Sequence, residues 1–527
     1  MKLVKAMLTM GALTMLSRVV GLVRDILTAK YVGVGMVADA FFVALKLPNF
    51  FRRVTAEGAF SVSFIPIYSK SMTQEGEDAA ARFAGNAVTW MSVILAPCIL
   101  IFMVFMPVVI HLIAPGFGTG ATDGGAQFDL AVALSRISFP YLFFMSLTAL
   151  FGGMLNAHDK FGPFAAAPIL FNGCLVLALL IGTHFTTVGY AMAWAVSISG
   201  LLQMLMMLWF MRRYRIKFTL RRPVLDDKIR HLGRLMGPGI LGAGIVQINM
   251  FADMIIASFL AAGSISSLYY ADRLNQLPLG VIGVAIGTAL LPMLSRAVSA
   301  GEREEAQRLF NRALEICFLL ALPAAVALLV IPAPVIHVLF ERGEFTSQDT
   351  LRVSHVLMGY ALGLPAYVSL KVLASISWAD HDTITPVKMA AISTITNIVL
   401  ALTLSPFLGV AGIALGTGIV GWLQFALMWR ANRDKKAAQL DDRSHRNFPI
   451  IFCASALMAI LLLLLSTMLH DQLYASSTGV ATLALAGLVA AGGGCYFAVI
   501  FGLGVMRLSD IRQFLTRQPK AAAVHVI

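Results

Sequence analysis

Residues 17–25 read SRVVGLVRD, which places two guanidinium groups and a carboxylate inside a run otherwise apolar enough to cross a bilayer. A charge at the bilayer centre costs about 2.5–3.5 kcal/mol or more, so such residues line protein or a water-filled cavity and mark ligand or ion pathways. On a helix turning about 100° per residue, Ser17, Arg24, Thr28, Gly21, Thr14, Asp25 and Arg18 share one arc about 120° wide. Leu16, Val19, Val20, Val23, Ile26 and Leu27 take the other side, so the polar face must be turned away from lipid.

The next apolar segment, ADAFFVALKLPNFFRRVTAEGAF, adds Asp39, Lys46, Arg52, Arg53 and Glu57, with Pro48 breaking its helical ladder. Farther on, YYADRLNQLP supplies Asp272 and Arg273, and Asp253 sits in the segment before it. Some of these charges have local uses. Arg53 and Glu57 are spaced as an i,i+4 pair that supports a helix. Arg18 and Asp25 suit a similar pair. Asp39 and Asp272, near the outer ends of their helices, suit either gating ion pairs or simple caps. Lys46 suits snorkelling toward water. After local pairing Arg18, Arg24, Arg52 and Arg273 outnumber Asp25 and Asp39. A cavity with net positive charge takes an anion, and the planar fork of arginine matches phosphate.

The elements that must position these residues follow from composition. The 527 residues are 58% hydrophobic and 13% charged. A soluble domain is about a quarter charged, so the chain reads as an all-α polytopic membrane protein. Fourteen apolar runs are long enough to span: 5–30, 36–66, 84–113, 131–155, 161–181, 187–210, 233–260, 268–295, 312–339, 351–377, 385–405, 409–429, 449–469 and 480–506. The net charge of +13 is gathered in loops rather than spread as a nucleic-acid surface. Loop 211–234 holds nine basic residues and 430–446 holds six, while 114–130 and 261–267 hold none. Positive-inside places both termini in the cytoplasm. The five cysteines are scattered through apolar segments without metal or disulfide spacing.

The chain also repeats itself at an offset of about 226 residues. PIYSK at 66–70 matches PMLSR at 292–296, Pro97 matches Pro323, Val109-Ile110-His111 matches Val335-Ile336-His337, and His158-Asp159 with Pro163 matches His381-Asp382 with Pro386. Six helices separate the copies, so the repeats are parallel, an arrangement used by transporters that rock two lobes. The expected organisation is an N-lobe at 1–210, a basic linker at 211–232, a C-lobe at 233–429, a second basic linker at 430–448, two extra helices at 449–506 and a cytoplasmic tail at 507–527.

Strings with other meanings fail on context. Gly237-x-Gly239-x-x-Gly242 follows no strand, and Gly33-x-Gly35-x-x-Ala38 lies in a turn between helices. There is no Gly-Lys dipeptide for a P-loop, no His-Glu pair and no G-x-S-x-G. The His-Asp pairs read as turns before proline. A drug exporter for cations wants acids in its chamber, an intramembrane enzyme wants an acid/base constellation near a large outer loop, and a channel does not suit isolated charges.

SRVVGLVRD, GVGMVADAFFVALKLPNFFRRVTAEGAFSVSFIPIYS and YYADRLNQLPLGVIGVAIGTALLPMLS together resemble the MurJ/MviN family of bacterial lipid II flippases, in the multidrug/oligosaccharidyl-lipid/polysaccharide exporter superfamily. The resemblance covers essentially the whole chain. It implies fourteen helices in the bacterial inner membrane and translocation of the undecaprenyl-pyrophosphate-linked peptidoglycan precursor to the periplasmic leaflet by alternating access, with no ATPase and no enzyme chemistry. Carried over, the family's cavity arginines fall on Arg18, Arg24, Arg52 and Arg273, with Ser17, Asp25, Asp39 and Glu57 on further motif positions. In some relatives an acid on the seventh helix joins a sodium site. Asp253 matches it, with Asp382 or Asn397 as candidates for further ligands, while other members lack that acid. Gln276 stands where some relatives carry an acid. The expected partners are lipid II and membrane lipids, with cell-wall synthesis proteins as candidates. No cofactor beyond that sodium ion is expected, no nucleic acid, and a monomer.

Overall fold

The structure is a computed structural model that describes residues 2–52, 60–119, 125–380, 382–435, 438–475 and 477–506; Arg53, Glu57 and His381 lie outside the described residues. Among the described residues the regular structure is helical and no strand occurs. The helices are α1 (Lys2–Val32), α2 (Met36–Phe51), α3 (Ser61–Glu75), α4 (Glu77–Val104), α5 (Met106–Ile113), α6 (Gly116–Thr119), α7 (Ala126–Ser138), α8 (Tyr141–Ala157), α9 (Gly162–Ile181), α10 (Val188–Arg213) and α11 (Asp227–Val246). They continue with α12 (Ile248–Ser258), α13 (Ser264–Ser299), α14 (Arg303–Val330), α15 (Pro332–Phe340), α16 (Ser347–Ala379), α17 (Ile384–Leu408), α18 (Val410–Asn432), α19 (Asp442–Met468), α20 (His470–Leu473) and α21 (Thr478–Gly502).

Ten of these elements, taking α7 with α8 as one, are long and apolar enough to cross a membrane. They coincide with the third to sixth and ninth to fourteenth expected spans. The other four expected spans fall on α1, on α2 with α3, on α11 with α12, and on α13, the helices that carry the candidate charges.

The internal repeat is visible in the elements. Helices α4 and α14 are both 28 residues long, open with acids in the first turn, and carry an internal proline, Pro97 or Pro323. Acids there complement the positive end of the helix. Each is preceded by a left-handed glycine, Gly76 (φ 91°) and Gly301 (φ 72°), which ends the previous helix where a side chain would be strained. The copies differ at other prolines. The first repeat breaks between α7 and α8 at Pro140, whereas the matching Pro365 lies inside the continuous α16.

The chain divides into two compact units. Unit 1 comprises Met1–Tyr270 and Phe340–Thr350, and unit 2 comprises Ala271–Leu339 and Leu351–Ile527. In unit 1, Phe64, Leu150, Met154 and Met207 of α3, α8 and α10 centre a closed apolar core. In unit 2, Phe310, Cys317, Val372, Ile451 and Tyr496 do so and draw α19 and α21 onto α14 and α16.

The two helices beyond the repeat are fixed to α14 by a polar cluster. Glu315 of α14, 5% exposed, accepts from Asn447 Nδ2 at 2.5 Å and from Arg312 of its own helix, with Arg443 Nη2 at 3.6 Å. Arg312 Nη2 also donates to Asp441 Oδ2 at 2.6 Å. Asp441 in turn caps α19 by accepting from the Ser444 amide at 2.8 Å.

Candidate functional site

Helix α1 is inside-out, as its sequence requires. Arg24, Asp25 and Thr28 are 7%, 5% and 2% exposed, whereas Val19 and Val23 are 59% and 44% exposed. In water this arrangement would be unfavourable, while in lipid it is the stable one. The buried face packs on α9. Gly21 permits the contact, since a Cβ there would lie 3.3 Å from Asn172 Nδ2.

Around Arg24 the partners come from three helices. Its Nη1 donates to Asn172 Oδ1 at 2.8 Å, its Nη2 to Tyr269 Oη at 3.0 Å, and its Nη2 and Nε to Asp25 Oδ1 at 2.5 and 3.0 Å. The Tyr269 hydroxyl donates to the same carboxylate oxygen at 3.1 Å. Asn172 Nδ2 donates to the Ser17 carbonyl at 3.1 Å, so Ser17 contributes its backbone here. The sequence missed Asn172 and Tyr269. Each is a lone polar residue in an apolar run, and the signal is only that a buried amide or phenol needs a partner.

The expected pair of Arg18 and Asp25 does not form; Asp25 pairs with Arg24. Seven residues of helix separate the first two by roughly 10 Å along the axis, beyond the reach of an aspartate, while Arg24 folds back onto its neighbour. Arg18 is exposed and makes no hydrogen bond or ion pair among the described residues. Arg52 is half-buried at the end of α2, with Nε donating to Asn49 Oδ1 at 3.2 Å, and Lys46, six residues earlier, is also half-buried.

Asp39 is a cap, and the helix it caps is not its own. From α2, 1% exposed, its carboxylate accepts from Gly263 N, Ser266 N and Ser266 Oγ, each at 2.7 Å, and so closes the first turn of α13. Phe42 stacks on Tyr269 with centroids 3.8 Å apart, one turn from Asp39. At the same end of α1, Gly33 (φ 66°) meets the 341–346 loop, whose Glu344 amide donates to the Lys30 carbonyl at 2.9 Å. A Cβ on Gly33 would lie 2.4 Å from the Glu344 carbonyl oxygen, so only glycine fits.

Asp272 and Arg273 belong to unit 2 and are half-buried. Gln276 Nε2 donates to Asp272 Oδ2 at 2.5 Å, a bond that an acid at 276 would lack. On α12, Asp253 and Asn249 are half-buried one turn apart, which puts two hard oxygen donors on one helix face, the donor chemistry a sodium ion takes. Asp382, half-buried, accepts from the Thr385 amide at 2.9 Å, and that bond holds its carboxyl below the usual range. It is a turn residue, as is Asp159 (φ 59°), beside which His158 Nδ1 lies 2.8 Å from the Met154 carbonyl oxygen.

The chain matches the family model described as lipid II flippase MurJ over residues 28–499. A protein of Rhizobium meliloti (strain 1021), described as "Probable lipid II flippase MurJ", is 40% identical over 535 residues, covering 99% of this chain and 98% of that one. One of Rickettsia prowazekii (strain Madrid E), with the same description, is 34% identical over 510 residues, covering 97% and 99%. Among solved structures, "Lipid II flippase MurJ, inward closed conformation" superposes with a TM-score of 0.75 at 27% identity, covering 96% of this chain and 98% of that one. An inward-facing multidrug resistance MATE transporter of the MOP superfamily shares the fold, with a TM-score of 0.68 at 15% identity over 82% of this chain and 98% of that one. The family is one of transporters, not enzymes. On the match over most of its length and on relatives alike from end to end, the chain belongs to the MurJ family of lipid II flippases.

Proposed function

We propose that this protein carries lipid II, the undecaprenyl-pyrophosphate-linked peptidoglycan precursor, from the cytoplasmic to the periplasmic leaflet of the bacterial inner membrane by alternating access. Both termini lie in the cytoplasm, as the basic loops imply. A cationic cavity grips the pyrophosphate through Arg18, Arg24, Arg52 and Arg273. The sugar-peptide head occupies the polar chamber and the polyprenyl tail stays in lipid.

The observation that carries this reading is the inverted helix α1. Its arginine at 24 is buried, oriented from three sides and held against the Asp25 carboxylate, while Arg18 on the same polar arc is exposed. A diphosphate offers oxygens matched to the guanidinium fork that Asp25 now fills, so its binding at Arg24 displaces the buried Asp25 carboxylate, to which the Tyr269 hydroxyl still donates, and the cost of that displacement offsets the gain at Arg24. Net binding then falls to Arg18, Arg52 and Arg273. The inside-negative potential favours outward movement of an anion by about 2.3 kcal/mol per charge per 100 mV. Asp253 is the residue through which a sodium ion acts on the cycle. In that case flipping depends on sodium and Asp253→Asn removes the dependence.

Depletion of the protein with measurement of lipid II reaching the outer leaflet tests the reading. Arrival should fall on depletion and be restored by the wild type but not by Arg273→Ala at equal membrane level. Undiminished arrival after depletion would sink it.

A further inference from the structure

The surface of unit 1 carries a second arginine site, far from α1 in sequence and facing outward. Arg136 lies in the last turn of α7, within the membrane-crossing stretch Ala126–Ala157, and is exposed. Intramembrane arginines almost always face the bundle interior, so this one needs an explanation. Its Nε donates to the Met103 carbonyl at 2.9 Å, in the last turn of α4, where helix carbonyls lack partners of their own. That bond fixes the guanidinium. Its other two nitrogens make no hydrogen bond or ion pair among the described residues.

Around this group is an open cavity of about 350 Å³, lined by Pro140, Phe144, Trp194, Ile198 and Leu201 among others. Its wall is rigid, since Ser197 Oγ donates to the Ile137 carbonyl at 2.5 Å and ties α10 to α7. Trp194 is 51% exposed, about two turns from the start of α10 and at the opposite end from Arg212 and Arg213. That is the depth at which tryptophan marks a membrane interface. The groove thus offers an apolar trough for a chain, with one cation at its rim that presents a two-pronged donor.

We propose that this groove binds an anionic phospholipid of the leaflet opposite the basic loops, its phosphate on Arg136 Nη1 and Nη2 and an acyl chain along Phe144, Ile198 and Leu201. Lipid is the medium this face meets, and a phosphate both matches the fork and offsets the cost of a cation in an apolar wall. The site is separate from α1, and its test does not depend on transport.

Trp194 is the built-in reporter. In nanodiscs, brominated phosphatidylglycerol is compared with chain-matched brominated phosphatidylcholine. The quenching at Trp194 is taken as the difference between the wild type and Trp194→Phe. Phosphatidylglycerol should quench at about tenfold lower mole fraction, the effect of one charge-assisted pair. Arg136→Gln should abolish the preference, and Arg136→Lys, which keeps the charge without the fork, should retain part of it. Equal quenching by the two lipids in the wild type overturns the proposal without any Arg136 variant, as does an unchanged preference in a folded Arg136→Gln protein.

Discussion

Among the described residues, two ionic networks are built on buried charges, and they have different consequences. In unit 1, Arg24 meets Asp25, Asn172 and Tyr269. In unit 2, Glu315 meets Arg312, Arg443 and Asn447, with Asp441 beyond. The energetic rule is the same for both: the buried charges, Arg24, Asp25 and Glu315, have lost water and are tolerated because their partners replace it, while Arg312 and Arg443 stay partly in solvent. What differs is what the partners do next. Around Glu315 they finish helix ends. Asp441 caps α19, and Asn311 accepts from the Asp441 amide at 3.2 Å and from Ser444 Oγ at 3.0 Å. That cluster is a clamp, holding the extra helices against α14. Around Arg24 the partners are side chains in mid-helix and cap nothing. The network orients a guanidinium on a polar face whose next arginine is exposed. An intramembrane charge is therefore a site when its network leaves backbone ends alone, and scaffold when it closes them.

The sharpest test of this contrast is at Arg24. Arg24→Ala strands a buried carboxylate, so it is paired with the double variant Arg24→Ala/Asp25→Asn, which removes the stranded charge. Both should fail to complement loss of the protein, and the double variant should unfold near the wild-type temperature in detergent. Complementation by the double variant would place Arg24 with the scaffold. Glu315→Ala gives the opposite pattern. It removes the acceptor of the buried Asn447 amide, while Arg312 keeps Asp441 and Arg443 is half in solvent, and should cost about 1–3 kcal/mol of stability. Membrane levels should drop while lipid II transport per folded molecule is kept. Lost transport at unchanged thermal stability would break the distinction.

How far the sequence anticipates this depends on the range of the interaction. The helical class, the repeat and the inverted face of α1 are periodic and local, so hydropathy and spacing reveal them. The partner of Asp25 is not, because the choice between Arg18 and Arg24 depends on axial distance and on Tyr269, which reaches it from 244 residues away. Asn172 and Glu315 are invisible for the same reason. A single polar residue in an apolar run has no period, and its meaning comes from a helix 148 or 132 residues distant. Asp39 was legible as a buried acid near a helix end. That it caps α13 follows only from the packing of α2 against a segment more than 220 residues on.

Asp39 and Asp272 extend the contrast to smaller effects. Asp39 serves as a clamp, so Asp39→Asn, which keeps one acceptor and loses the charge, should lower stability by about 1–2 kcal/mol. A downward shift in thermal unfolding reads it. Asp272 has Gln276 one turn along its own helix, and the bond is local. Gln276→Glu replaces a donor with a like charge at i,i+4, worth about 0.2–0.5 kcal/mol against the helix. Stability should therefore barely move. Transport is the informative reading, because a second carboxylate beside Asp272 subtracts from the positive field that Arg273 contributes. If Arg273 holds pyrophosphate, Gln276→Glu weakens lipid II binding in proportion to ionic screening, and raising salt narrows the gap to the wild type. If binding is unchanged at low salt, Arg273 lies with the clamps, and the burden of the anion returns to α1 and α2.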